Sequence, residues 1–243
     1  MQLRILWASL LASGALALGP GTAPAADGNS VLTPSVATYS VEYRGINAGT
    51  IAFALRNPSP GQFVYESRSN ARGVARLVIR NEVHEASTFS VADGRIQPQS
   101  YLLDDGSQDT SKDTRLQFDW NAGIARGEHE NQPLELKLEP GLQDRMSVQV
   151  LVMQQLARGE EPGRLDFIDR DEIKAYQYTK EGTERVNTAV GEIDTVIYSS
   201  TREGSSRVSK IWYAPSLGYT PVRAEQVRRG KVETVLTLTK LER

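Results

Sequence analysis

Cysteine is absent from this chain of 243 residues, and histidine occurs only twice. Those shortages exclude disulfides, thiolate zinc sites, cysteine nucleophiles and a lipidated cysteine at a lipoprotein cleavage site. Charge of one sign is missing too, since 28 Lys plus Arg stand against 30 Asp plus Glu for a formal charge of -2. Nucleic-acid binding needs a basic excess gathered on one face, so no nucleic-acid partner is expected. Aromatic residues make up only 7% of the chain. No apolar run reaches the roughly 20 residues of a membrane-spanning helix. What remains is apolar and polar residues in alternation, in a length that suits one domain.

The N-terminus has the layout of an export signal. Arg4 supplies a positive start, and Ile5 to Leu18 form an apolar stretch interrupted only by Ser9, Ser13 and Gly14. Gly19, Pro20 and Gly21 break it, and Ala23-Pro24-Ala25 offers the small residues that a signal peptidase reads. Residues 1-25 are therefore expected to be a secretory signal peptide, with cleavage after Ala25 or Ala26, and 26-243 a single mature domain. Cleavage removes Arg4 alone among the charges, so the mature chain carries 27 positive and 30 negative side chains. A soluble periplasmic protein with no transmembrane anchor after cleavage is the expectation.

The mature chain reads as strands with one helix. Tyr39, Val41 and Tyr43 alternate with Ser40, Glu42 and Arg44, the pattern of a half-buried strand. Gly45 to Gly49 turn the chain into Ile51, Phe53 and Leu55, and Asn57, Pro58, Pro60 and Gly61 close that strand. Phe63 with Tyr65, Leu77 with Ile79, Phe89 with Val91, and Leu116 with Phe118 continue the pattern around an acidic loop from Asp104 to Asp113. Further strands are predicted over Leu165 to Ile168, Ile173 to Thr179, Arg185 to Val190, Ile193 to Thr201, Arg207 to Tyr213, Tyr219 to Arg228 and Val232 to Leu241. Between Gln143 and Arg158 the apolar residues are too dense for alternation, with Asp144 placed as an N-cap and Gly159 as a stop. A buried helix of about four turns follows. On the order of a dozen strands exceeds what a flat open sheet holds. The predicted fold is all-β with one buried helix, in a highly curved antiparallel sheet, barrel-like or spiral, wrapped around that helix.

Three stretches carry a family resemblance. They are Val41-Glu42-Tyr43 through Gly45-Ile46-Asn47-Ala48-Gly49, then Gln143-Asp144 with Ser147, and Val190-Gly191-Glu192-Ile193-Asp194-Thr195 leading to Trp212-Tyr213-Ala214-Pro215, Tyr219 and Pro221-Val222-Arg223. In their order and spacing the chain resembles the bacterial exported family known as domain of unknown function 3108. That resemblance implies β-rich periplasmic proteins with no assigned activity and no catalytic residues to carry over. More distantly the chain is similar to periplasmic envelope proteins with a spiralled or half-open sheet, some of which handle lipids or lipoproteins.

Few residues suggest chemistry. His84 and His129 lack metal-ligand spacing, and Ser205 and Ser206 lack the glycine-flanked turn of a hydrolase nucleophile. Asp166, Asp169, Asp171 and Glu172 form one acidic group and Asp104, Asp105 and Asp109 another, both in solvated, breaker-flanked stretches. No catalytic residue, metal or cofactor is expected, and the protein is read as a non-enzyme. Gln143, Asp144 and Ser147 are read as the structural cap of the helix. Trp212, Tyr213 and Tyr219 are read as aromatic residues at the mouth of the curved sheet, where they would meet an apolar ligand. The leading function is binding or accessory work for a lipid, a lipoprotein or another envelope protein. The alternatives are an envelope scaffold with a filled core and a carboxylate-dependent glycan hydrolase. An apolar cavity of several hundred Å³ beside the helix would separate carrier from scaffold.

Overall fold

A computed structural model describes residues 32–73, 82–106 and 113–243. The expected signal peptide, the strand around Leu77 and Ile79, and Asp109 lie outside the described residues. The strands are β1 (Ser35–Tyr43), β2 (Ile46–Ser59), β3 (Gln62–Ala71), β4 (Val83–Ala92), β5 (Arg95–Asp104), β6 (Thr114–Asp119), β7 (Ile124–His129), β8 (Gln132–Lys137) and β9 (Gln143–Asp144). After the helix α1 (Ser147–Ala157) come β10 (Arg164–Asp169), β11 (Glu172–Thr188), β12 (Gly191–Thr201), β13 (Arg207–Ala214), β14 (Thr220–Arg228) and β15 (Lys231–Glu242).

All fifteen strands form one sheet in the order β8-β7-β6-β5-β4-β3-β2-β1-β15-β14-β13-β12-β11-β10-β9. Each half is a meander, and the first and last strands pair in the middle, Tyr39 opposite Leu238 and Val41 opposite Leu236. Strand twist accumulated over so many neighbours curls a sheet on itself. The two edges, β8 and β9, are not hydrogen-bonded to each other. The predicted all-β, curved architecture around one helix is therefore the observed one. One ladder departs from the antiparallel rule: β9 runs parallel to β10, with Gln143 opposite Phe167.

Alternation turns one face of the sheet inward. Leu55, Tyr65, Phe89, Ile96, Tyr101, Leu116 and Phe118 meet Met146, Val150, Val152, Met153, Leu156 and Ala157 of the helix segment in one buried cluster. Val148, Val150, Val152, Met153, Gln154 and Leu156 are all buried, so protein covers most of the helix circumference. An apolar helix with no wet face has that requirement. A second cluster gathers Ala37, Tyr39, Val186, Ile193, Ile197, Trp212, Ala214, Val222 and Leu238.

Three differences from the sequence reading have local causes. The helix has 11 residues, about three turns, because Gln143 and Asp144 are drawn into β9 and the next two residues form a turn. The strands expected over Ile173 to Thr179 and Arg185 to Val190 are one 17-residue strand, β11. Gly182 (φ 138°) marks a bulge in β11, where the register with β12 shifts between Lys180 and Gly182, not a turn. Strands β7 and β8 are absent from the sequence reading: β7 offers only Ile124 and Ala125, whereas Leu134, Leu136 and Leu138 of β8 and its exit do alternate with Glu135, Lys137 and Glu139. On its other side β7 approaches β6 closely at Gly127, where a Cβ would collide with the Arg115 carbonyl oxygen.

Candidate functional site

The open seam of the sheet is fastened by polar side chains. Asp144, fully buried at the end of β9, accepts the Met146 and Ser147 N–H groups at 2.8 Å each through Oδ1. The Ser147 hydroxyl returns the favour by accepting the Asp144 N–H at 2.9 Å. This reciprocal pair organises the turn before α1, as a capping box does. The second carboxylate oxygen of Asp144 accepts the Ser87 hydroxyl of β4 at 2.5 Å, a bond across 57 residues of chain. Gln143 Nε2 donates to the Ile96 carbonyl of β5 at 3.1 Å, so both residues of β9 grip the β4–β5 hairpin. Gln143 Oε1 is buried with no partner among the described residues.

Beside this clasp lies an ionic chain. Arg145 bridges Glu85 of β4 at 3.1 Å and Asp169 of β10 at 3.3 Å, and the Tyr101 hydroxyl donates to Glu85 at 2.6 Å. Lys174 reaches Asp169 at 3.3 Å. Burial pushes the Asp144 carboxyl up to about 6, against the pull of the hydrogen bonds from Ser87, Ser147 and Met146, while Glu85 adds to the rise. For Asp169 burial is outweighed by Arg145 and Lys174, which hold it below the usual carboxylate range. The far end of α1 is pinned to the same hairpin. Arg158 donates to the Gly94 carbonyl at 2.9 Å, and the Gln154 amide, with its nitrogen toward that carbonyl, lies 3.1 Å away. Of this network the sequence pointed to Gln143, Asp144 and Ser147 and missed Ser87, Glu85, Tyr101 and Arg145. The one available sign was the Asp144-Arg145 pair heading an otherwise apolar helix.

The three aromatic residues named from sequence do not share one mouth. Trp212 is 4% exposed in the second cluster, its indole N–H bound to Glu184 at 2.6 Å and its ring covered by Lys210 and Arg223 at 5.3 Å each. Tyr213 is 3% exposed in the helix cluster, edge-on to Tyr198 at 6.3 Å. Tyr219 is half-buried with φ 58°, and its N–H donates to the Ala214 carbonyl at 2.8 Å to close the corner. A crevice of about 30 Å³ opens near this corner, between Met153 of α1 and the wall made by Ala37, Tyr39, Phe53, Leu55 and Tyr65. Leu217, Gly218, Thr220 and Pro221 border it, whereas Trp212, Tyr213 and Tyr219 do not line it.

The remaining candidates fall apart or into structural roles. His84 Nε2 lies 2.9 Å from Glu66, and His129 Nδ1 lies 2.7 Å from the Thr114 hydroxyl. Thr114 is fully buried, which denies any substrate access to that oxygen. Asp104, Asp105 and Asp113 bring carboxylate oxygens within 4.8 Å of one another. Asp113 is already engaged, by Arg115 at 3.2 Å and by the Asp105 N–H at 3.2 Å. Among Asp166, Asp169, Asp171 and Glu172, Asp169 joins the ionic chain beside the clasp.

A single curled sheet around one buried helix defines a barrel-like all-β protein. Within that class the chain belongs to the protein family of unknown function DUF3108, whose sequence profile matches residues 38–237. The fold is similar to that of a β-barrel-like protein of domain of unknown function DUF1849 from Brucella abortus, with a TM-score of 0.53 at 11% identity over 87% of this chain and 98% of that one. A weaker likeness links it to the MucA/MucB complex of Pseudomonas aeruginosa, with a TM-score of 0.40 at 13% identity over 89% of this chain and 54% of the other. A comparison with curated proteins returns no match. Among the described residues no helix is long and apolar enough to cross a membrane.

Proposed function

We propose that this protein is an exported, non-catalytic accessory protein of the bacterial cell envelope, working in the periplasm through its outer surface and not through a ligand held inside. The observation that carries the reading is the interior: α1 occupies the hollow of the sheet, and the crevice beside Met153 has room for about one water molecule. A bound acyl chain calls for several hundred Å³. A second recess, about 410 Å³, is open, and charged Glu184, Arg185 and Asp194 border it beside Thr183, Thr195, Val196 and Pro215. Glu85 and Asp169 both face Arg145, and Asp113 of the acidic group with Asp104 and Asp105 faces Arg115, which lends no support to a glycan hydrolase. Native mass spectrometry of the chain purified from periplasm tests the reading. The bare mature mass, with no saturable response to a fluorescent fatty acid, is the expected result. A lipid retained at one per chain would overturn it.

One observation favours a carrier of a lipid or lipoprotein chain as the second reading. The crevice wall is apolar, and it lies between the helix and β1 to β3, so that displacement of α1 would enlarge it. In that case Met153→Trp, which fills the crevice, abolishes fatty-acid binding.

A further inference from the structure

The hairpin tips of β1–β2, β14–β15 and β12–β13 all lie at one end of the sheet. The register requires this, because Tyr43 sits opposite Thr234, Arg228 opposite both Lys231 and Arg207, and Thr201 opposite Val208. Across these three tips the charge is unevenly spent: Arg44, Arg202, Arg207, Arg228, Arg229 and Lys231 stand against Glu42, Glu203 and Glu233. Arg44 is paired with Glu233 at 3.1 Å. Arg202, Arg207, Arg228, Arg229 and Lys231, all exposed, form no ion pair among the described residues. Arg207, Arg228 and Lys231 are direct cross-strand neighbours on one face of three adjacent strands. Like charges placed directly opposite destabilise a sheet. A row of three without counter-charge is thus an unmet demand for an anionic partner.

The same rim also exposes apolar side chains. Tyr43 lies opposite Ile46, and both continue the row of Val41 and Tyr39 past the end of the core. Val232, past the register shift on β15, lies opposite Val227 of β14. Their exposures are 48% for Tyr43, 62% for Ile46 and 46% for Val232, three of the five large hydrophobic side chains exposed among the described residues. The rim therefore sets an apolar lip of Tyr43 and Ile46 beside a cationic row on the same face, because Arg228 alternates with Ala224, Ala224 lies opposite Leu236, and Leu236 lies opposite Val41 in the row of Tyr43. We propose that this end docks on the surface of an anionic phospholipid bilayer, with Tyr43, Ile46 and Val232 dipping into the interface and Arg207, Arg228 and Lys231 among the headgroups. Exposed apolar and aromatic tips flanked by basic side chains have the chemistry of such contacts. Charge complementarity selects the bilayer over a purely apolar protein partner, and the apolar lip selects it over a soluble anion.

The inference deepens the reading of an outer-surface accessory protein and rests on it, yet the two fail separately. Lipid found inside the sheet removes the filled-core reading and leaves rim binding untouched. The test is cosedimentation of the mature chain with vesicles of phosphatidylethanolamine and phosphatidylglycerol, beside vesicles of phosphatidylcholine alone. Binding should require phosphatidylglycerol and fade as salt is raised. Replacing Arg207, Arg228 and Lys231 by Gln should weaken partitioning by roughly a hundredfold. Arg126→Gln, an exposed charge on β7 away from the rim, should leave it unchanged. Tyr43→Ser with Ile46→Ser should weaken binding at every salt concentration. Circular dichroism and a melting curve establish that each variant is folded. Undiminished binding by the folded triple variant, equal binding to phosphatidylcholine, or retention on polyglutamate with none on vesicles would each overturn the proposal.

Discussion

Asp144→Asn isolates the buried carboxylate of the clasp. The folded protein raises this carboxyl from 3.8 to about 6, with burial the largest cause. A rise of about two units corresponds to about 3 kcal/mol, at about 1.4 kcal/mol per unit. Below pH 3.8 both folded and unfolded chains hold the proton, and the group is neutral to stability. Between 3.8 and about 6 the folded chain keeps a proton that the unfolded chain has released, so stability falls as pH rises, and above about 6 the whole penalty is present. Asparagine does not titrate, and it keeps the shape of the clasp. Its oxygen can accept the Met146 and Ser147 N–H groups, and its amide nitrogen can donate to the Ser87 oxygen. The measurement is urea unfolding of both proteins from pH 4 to pH 7. Relative to wild type, the variant should gain ~3 kcal/mol as pH climbs through that window, whatever its offset at pH 4. Asp144→Ala separates geometry from charge: it strands two buried N–H groups and the Ser87 hydroxyl and should cost about 2 to 4 kcal/mol. A wild-type-minus-Asn difference that does not change with pH, or that changes in the opposite sense, refutes the account of Asp144 as a buried, penalised charge.

Two further outcomes follow from single features. Gly127→Ala drives a Cβ into the Arg115 carbonyl oxygen, so the β6–β7 hairpin should open, with a loss of at least about 2 kcal/mol in urea and early cleavage near Gly123 under limited proteolysis. The arginine, apolar run and small-residue exit of the first 25 residues should place the mature N-terminus at Ala26 or Asp27, read by mass spectrometry of periplasmic extract. Intact Met1 chains confined to the cytoplasm would contradict export.

Alternation and breakers determined most of the architecture from sequence alone. Tyr39 and the rows Ile51-Phe53-Leu55 and Phe63-Tyr65 pack inward from β1, β2 and β3, because a period of two leaves each strand one way to bury its apolar side, while Tyr43 runs past the core and is exposed. The dense segment after Asp144 became the one buried helix for the same reason: no strand can hide apolar residues on consecutive positions without cover on both faces. The role of Asp144 at the start of that segment was also local, resting on N–H groups two and three residues away. Distant partnerships were decided only by the tertiary structure. Ser87 and Asp144 lie 57 positions apart, and nothing in either neighbourhood marks the other as its partner. Trp212 and Tyr213 are adjacent in sequence yet serve different clusters, since neighbouring strand residues point to opposite faces. Whether the sheet encloses a cavity was equally beyond the sequence, because it depends on how deeply α1 sits in the hollow. The cationic row and apolar lip likewise exist only because the first and last strands pair, which brings Tyr43 and Ile46 to the same rim as Val232 and Lys231.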